Sequence, residues 1–109
     1  MELVNRSQSL GAFSACSHFV VHVLAAAQTD LARRFATPGV ADNFADTPWL
    51  AGPGGAALLA GALAQFVCRG HRQHDGGDHR LFIGQVEAFH HAPGEPAVFH
   101  RGRFTALTA

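Results

Sequence analysis

The chain has 109 residues, 48% of them hydrophobic and 15% charged, with 12 Gly and 5 Pro. That composition suits one small hydrophobic core, leaves no room for two, and is too apolar for a disordered tail. Lys plus Arg and Asp plus Glu both number 8, so the formal net charge is zero and no bulk positive field draws the chain onto nucleic acid. The longest apolar run, Gly55 to Cys68, falls short of the ~20 residues a membrane-spanning helix needs. Met1-Glu2-Leu3 lacks the basic and apolar regions of a secretory leader. A cytoplasmic protein without membrane contact is therefore expected, with the isolated Cys16 and Cys68 kept as thiols in core roles.

In chain order, Glu2 to Asn5 reads as the end of a strand, and Ser7 stands where an N-cap would serve a helix over Gln8 to Cys16. His18 to Leu24 is rich in β-branched and aromatic residues. Phe19, Val21 and Val23 alternate there with His18, Val20, His22 and Leu24, which predicts a strand covered on both faces. From Gln28 to Phe35 the period becomes helical: Leu31 and Phe35 are four apart, Asp30 lies in the first turn and Arg33-Arg34 in the last. Thr37-Pro38-Gly39 ends that helix. Val40 to Gly55 is predicted to be loop, anchored by Phe44 and Trp49 across the body of the domain.

Ala56 to Cys68 fits a buried helix or a doubly buried strand by composition. The turn signal Asp75-Gly76-Gly77 favours strands, so Leu63 to His74 and Asp78 to His90 are read as an antiparallel pair. After the turn cluster Ala92 to Pro96, Ala97 to His100 and Arg103 to Thr105 form one last strand or two short ones. About five strands and two short helices result, an α+β or barrel-like class.

Among chemical motifs, His71, His74 and His79 cluster around the Gly turn and invite a zinc reading, but no thiolate pair or HExxH accompanies them. Gly52-Pro53-Gly54-Gly55 lacks the Lys-Ser/Thr of a phosphate loop, and no serine has a GxSxG context. Asp78-His79 lies just past the tight turn, where an imidazole can project toward a ligand. Spacing alone gives equal weight to the plainer reading in which Asp78 caps the turn and His79 pairs with it.

The string His74-Asp75-Gly76-Gly77-Asp78-His79-Arg80-Leu81-Phe82-Ile83-Gly84-Gln85-Val86 resembles the Gly-Asp-His hairpin of the flavin reductase-like family, the FMN-binding split barrels of two-component monooxygenases. Val4-Asn5-Arg6-Ser7, His18 to Ala25 leading to Leu31 to Ala36, and Phe99 to Phe104 agree with it in order and spacing. The resemblance implies a mainly β (α+β) fold, a partial FMN-binding split β-barrel with short helices. Family members usually carry further strands ahead of the Asn-Arg-Ser segment, including a Ser/Thr-rich stretch that holds the flavin. With Met1 just before Asn5, residues 1–109 are expected to be a single, N-terminally truncated domain of this kind. His22 and Ala27 depart from the family pattern, where Asn and an acidic residue are usual.

Carried over by motif, the resemblance implies that Asn5, Arg6 and Ser7 lie beside the flavin and that Arg33, Arg34 and Phe35 lie near its phosphate or ribityl end. His79, with Asp78, and Arg103 would face the nicotinamide dinucleotide. Arginine's planar fork of donors suits phosphate. The implied activity is an NAD(P)H-dependent flavin reductase using FMN or FAD, with NADH or NADPH as co-substrate. It would act as a homodimer that passes reduced flavin to a partner oxygenase. The alternatives are a non-catalytic truncated remnant or flavin-binding module of the same fold and, more distantly, a His-rich metal-binding domain. By themselves Arg33-Arg34 also read as a solvated helix end, and Arg103 as an edge-strand charge.

Overall fold

A computed structural model describes residues 1–5, 7, 9–37, 44 and 47–107. The described elements run β1 (Glu2–Val4), α1 (Leu10–Ala15), β2 (His18–Val23), α2 (Thr29–Ala36), β3 (Trp49–Ala51), β4 (Ala57–Leu59), β5 (Ala64–Gly76), β6 (His79–His91), β7 (Val98–His100) and β8 (Arg103–Thr105). The predicted helices and the long hairpin are present, although α1 begins at Leu10 with Ser9 and not Ser7 as its N-cap, and among the described residues eight strands replace the five or so expected. Part of the segment expected to be loop forms β3, and the ambiguous Ala56–Cys68 run divides into β4 and the start of β5. The break between them is a turn at Gly61, whose φ of +81° suits glycine.

Four strands form one antiparallel sheet in the order β1-β6-β5-β2, while β3-β4 and β7-β8 are separate two-stranded ribbons. The β5-β6 turn is tighter than the Asp75-Gly76-Gly77 reading supposed. Gly76 pairs with His79, so only Gly77 and Asp78 turn the chain, and Gly77, at φ +73°, takes the first central position as in a type II′ hairpin. In the β7-β8 turn both central residues, Arg101 at φ +52° and Gly102 at φ +79°, are left-handed, the type I′ pattern. Residues 97–105 therefore make two short strands.

Register determines which side chains share a face of the sheet. Phe19 pairs with Cys68 and Cys68 with Val86; next to them Val21 pairs with Phe66 and Phe66 with Phe89. Cross-strand partners point the same way, so these two rows lie side by side on one face. α1 covers the Phe19 end of the first row, where Phe13 packs its ring 6.5 Å from Phe19 and 6.1 Å from Phe82, while Val86 at the other end is 47% exposed. Beneath Phe19, Gly84 leaves no space for a side chain, since a Cβ there would lie 2.6 Å from the Phe19 ring and 2.9 Å from the Cys68 Cβ. The second row has no such cover. Val21 is 40% exposed, so β2 is not buried on both faces as its composition suggested.

A second layer is tied on by polar side chains. Gln28 accepts from the Ala25 N–H (2.9 Å) and donates to the Ala60 carbonyl (3.0 Å), linking the entrance of α2 to the end of β4. Gln65 donates to the Leu59 carbonyl at 2.7 Å. Leu31 of α2 and Leu59 of β4 are buried, and Phe44 joins Phe35 of α2 (5.1 Å) to Trp49 of β3 (5.4 Å). These contacts carry out the anchoring role expected of Phe44 and Trp49.

Candidate functional site

Two cavities flank the strip Phe13, Cys16, His18 and Phe19, which lines both. The larger, about 670 Å³, opens over the middle of the β5-β6 hairpin, with Arg69, His71 and Arg72 on one side and Phe82 and Ile83 on the other. The smaller, about 280 Å³, lies between β2, β4 and α2 and is walled by Phe35, Phe44, Val20, His22 and Leu59. Its lining is aromatic and aliphatic with few polar groups, the usual character of a small-molecule site.

His22 is the most constrained polar group of the smaller cavity. The Leu59 N–H donates to its Nε2 at 3.1 Å, so Nε2 is unprotonated and Nδ1 carries the hydrogen of a neutral ring. Burial lowers its pKa from the ordinary 6.5, which favours the same neutral form.

At the rim shared by the two cavities, Ser17 Oγ lies 2.9 Å from His18 Nδ1, and His18 Nε2 lies 3.1 Å from Glu87. The other Glu87 oxygen is 3.4 Å from Arg69. This chain of contacts joins β2, β5 and β6. Gly54, at φ +64°, is packed so closely on it that a Cβ would lie 2.5 Å from Ser17 Oγ. Cys16 is an exposed thiol and Cys68 a buried one, and neither is in a disulfide. Burial pushes the Cys68 thiol up, which suits a core role and makes it a poor nucleophile.

The residues singled out from the sequence fall in three places. Asn5, Asp78 and His79 meet at the tip of the long hairpin: Val4 pairs with His79, the Asn5 N–H donates to the Asp78 carbonyl at 2.8 Å, and Asn5 Nδ2 donates to the Gly77 carbonyl at 3.3 Å. His79 Nδ1 sits 2.7 Å from Asp78 Oδ1. That hydrogen bond, with the charge of His79, holds the Asp78 carboxyl below its ordinary range. The plainer pairing of the two side chains is thus formed, and neither lines either cavity. Ser7 lies just beyond, where its hydroxyl accepts from the Ser9 N–H at 3.2 Å. Arg6 lies outside the described residues.

A second group gathers at the end of α2. Phe35 lines the smaller cavity, and Arg34 reaches the Thr47 hydroxyl at 3.5 Å. Arg33 bonds Asp30 at 3.0 Å and lies 5.0 Å over the Phe104 ring. The third place is the β7-β8 hairpin, where Arg103 joins His100, Arg101 and Thr105 around a cleft of about 330 Å³. The Arg33–Phe104 contact brings these last two groups together. Phe44 and His22 complete the smaller cavity, yet nothing in the motifs marked them as a pair. The available signals were an imidazole within an apolar strand and an aromatic residue within a turn-rich segment.

Among the described residues, no three His, Cys, Asp or Glu side chains come together as a metal-binding group, and no helix is long and apolar enough to cross a membrane. His71, His74 and His79 lie along the hairpin without converging.

Comparison with known proteins identifies the lineage. Residues 2–108 match the flavin reductase like domain, and the chain belongs to that family. It is 41% identical over 93 residues to the FMN reductase (NADH) SmoA of Agrobacterium fabrum, covering 85% of this chain and 52% of that protein. It is 40% identical over 107 residues to the reductase component of a 4-nitrophenol 4-monooxygenase/4-nitrocatechol 2-monooxygenase from Rhodococcus opacus, covering 95% of this chain and 57% of the relative. Among solved structures, the NADH:FAD oxidoreductase SgcE6 of Streptomyces globisporus, in complex with NAD and FAD fragments, superposes with a TM-score of 0.90 at 34% identity. The match covers 99% of this chain and 66% of that one. The chain therefore spans about half the length of the curated relatives it matches, and the mainly β split-barrel architecture is that of the family.

Proposed function

We propose that this chain is the flavin- and nicotinamide-binding part of an NAD(P)H-dependent flavin reductase that supplies reduced FMN or FAD to a partner monooxygenase. The observation that carries the reading is the match of residues 2–108 to the flavin reductase like domain, together with identity near 40% to reductases of this activity. The local geometry fits a flat cofactor: Phe35 and Phe44 wall a cavity that His22 supplies with one fixed donor. When bound, the flavin supplies the two-electron chemistry.

The protein's task is then to hold two flat rings in register, which needs no acid or base. Phe35 offers an aromatic wall. Arg33, over the Phe104 ring, and Arg103, the residue before Phe104 on β8, each offer a guanidinium group for phosphate. Asn5, Arg6, Ser7 and Arg34 are assigned to the flavin side, and Asp78 and His79 to the nicotinamide side. Asn5, Ser7, Asp78 and His79 all lie at or beside the hairpin tip and line neither cavity, so both assignments ask that end of the molecule to meet its ligand outside the two cavities. A homodimer is part of the reading, because the uncovered row Val21, Phe66 and Phe89 is an apolar patch of the kind that marks an interface. A reducing, cytoplasmic setting agrees with the unpaired Cys16 and Cys68.

The test is to purify the chain, add FMN and NADH, and follow nicotinamide oxidation against a protein-free control. A rate well above free flavin is the expected result. Flavin binding without that rate would leave a binding module, and absence of both would reject the reading.

A further inference from the structure

The rim between the two cavities carries a constellation that the flavin reductase reading leaves unused. Ser17 Oγ lies 2.9 Å from His18 Nδ1, and His18 Nε2 lies 3.1 Å from Glu87 Oε1. A carboxylate only accepts, so in the neutral ring Nε2 carries the hydrogen and Nδ1 is left to accept from the Ser17 hydroxyl. Glu87 is itself held by Arg69, 3.4 Å from its other oxygen. The Ser17 carbonyl accepts from the Gly70 N–H at 2.8 Å, which fixes the backbone that bears the hydroxyl. Gly54 closes one side of the Ser17–His18 contact, since a Cβ there would lie 2.5 Å from Oγ and 2.6 Å from Nδ1. The imidazole is screened, with 15% of its side chain exposed, whereas Ser17 is exposed and lines the cavity of about 670 Å³. A shielded base beside an accessible hydroxyl, oriented by a carboxylate on its far nitrogen, activates a serine. Such a set is recognised by geometry and roles, so the missing GxSxG context does not count against it.

We infer that Ser17, His18 and Glu87 form a second active site, a serine acyl-transfer centre that hydrolyses small aryl esters. It needs no flavin, so it stands or falls apart from the reductase reading. Phe13, Phe82 and Ile83 give the cavity an apolar wall for the aryl group. Arg72 lines the same cavity and has no hydrogen-bond or ion-pair partner among the described residues, so its charge is available to the carbonyl oxygen. In the first step His18 Nδ1 takes the hydroxyl proton as Ser17 Oγ bonds to the carbonyl carbon. The ester C–O bond then breaks, and the aryl oxide leaves with that proton. Water, giving a proton to the same Nδ1, attacks the acyl group, and its release as a carboxylic acid restores the Ser17 hydroxyl. Nε2 keeps its hydrogen throughout, and Glu87, a positioning residue, stabilises the imidazolium that forms.

The chain holds eight His, and a solvated imidazole also attacks activated esters, so the test reads a covalent adduct as well as a rate. The flavin-free chain is mixed with para-nitrophenyl acetate and nitrophenolate release is followed. In parallel it is treated with a fluorophosphonate, and the modified peptide is located by mass spectrometry. The expected result is a burst of nitrophenolate, the mark of an accumulating acyl-enzyme, and a phosphonyl group on Ser17. Ser17→Ala should abolish both, and His18→Gln should slow acylation by about a hundredfold or more, the range for a lost general base. Glu87→Gln still accepts from Nε2–H and should keep more of the rate than Glu87→Ala, a graded recovery that loss of folding would not produce. Ester cleavage unchanged by Ser17→Ala overturns the assignment, as does a phosphonyl group found elsewhere, and equal rates in the wild type and Glu87→Ala overturn the place given to Glu87. Where a variant does not fold, labelling of the wild type decides, and an unmodified Ser17 overturns the assignment.

Discussion

The two rows of the β2-β5-β6 face differ in cover far more than in composition. Phe19 and the nearby Phe82 lie against Phe13 of α1, with Phe82 only 4% exposed, while Phe89, one row along the same face, is 68% exposed. Residues of one type on one strand thus have different energetic roles according to whether a second element reaches them. Hydrophobic stabilisation follows area removed from water, so the covered row holds the fold together and the uncovered row is available for association.

The sharpest way to break this comparison is paired truncation. Phe82→Ala should cost about 3–5 kcal/mol, the range for a buried Phe, whereas Phe89→Ala should fall within about 0.5 kcal/mol, as exposed sites do. Urea unfolding of the two variants at low protein concentration reads the difference, and equal costs would show that both rows are covered in solution. Next in size is Gly84→Ala. The added Cβ meets Phe19 and Cys68 at 2.6 and 2.9 Å, and overpacking of this kind costs about 1–3 kcal/mol, measurable in the same unfolding assay.

Smaller effects sharpen the contrast between core and site. Burial lowers the His22 pKa below 6.5, so the unfolded chain binds a proton that the folded chain refuses. The contribution is fully present above pH 6.5 and is lost as pH falls through the depressed folded value. Stability of the wild type relative to His22→Asn should therefore decline on acidification from 6.5 downward and stay level above it. The smallest effect is at the rim, where Arg33 lies 5.0 Å over Phe104. A double-mutant cycle of Arg33→Ala and Phe104→Ala should show coupling of about 0.5–1 kcal/mol, the exposed cation–π range.

The legible parts of the fold are those with strong local signals. The Gly76-Gly77 pair between two apolar segments specifies a hairpin, and the Leu31/Phe35 spacing with Arg33-Arg34 at its end specifies α2, because each depends on residues close in the chain. β3 and β4 escaped notice because strands of three residues drawn from Trp, Leu and Ala carry little periodic signal, and what stabilises them is their pairing with each other and contacts with distant residues such as His22 and Gln65. The site divides in the same way. Phe35, Arg33 and Arg103 are marked by motif. The partnership of His22 with Leu59, 37 positions away, has no local trace.

The amino-acid sequence by itself determined the class of fold, the position of the long hairpin and the family, because periodicity, turn chemistry and motif spacing are properties of neighbouring residues. Only the tertiary structure decided which of the apolar residues form the core, which nitrogen of His22 carries its proton, and that Asp78 and His79 pair at a tip away from the cavities. Each of these depends on what a distant segment brings into contact, and burial, hydrogen-bond partners and electrostatic environment do not exist until that contact is made.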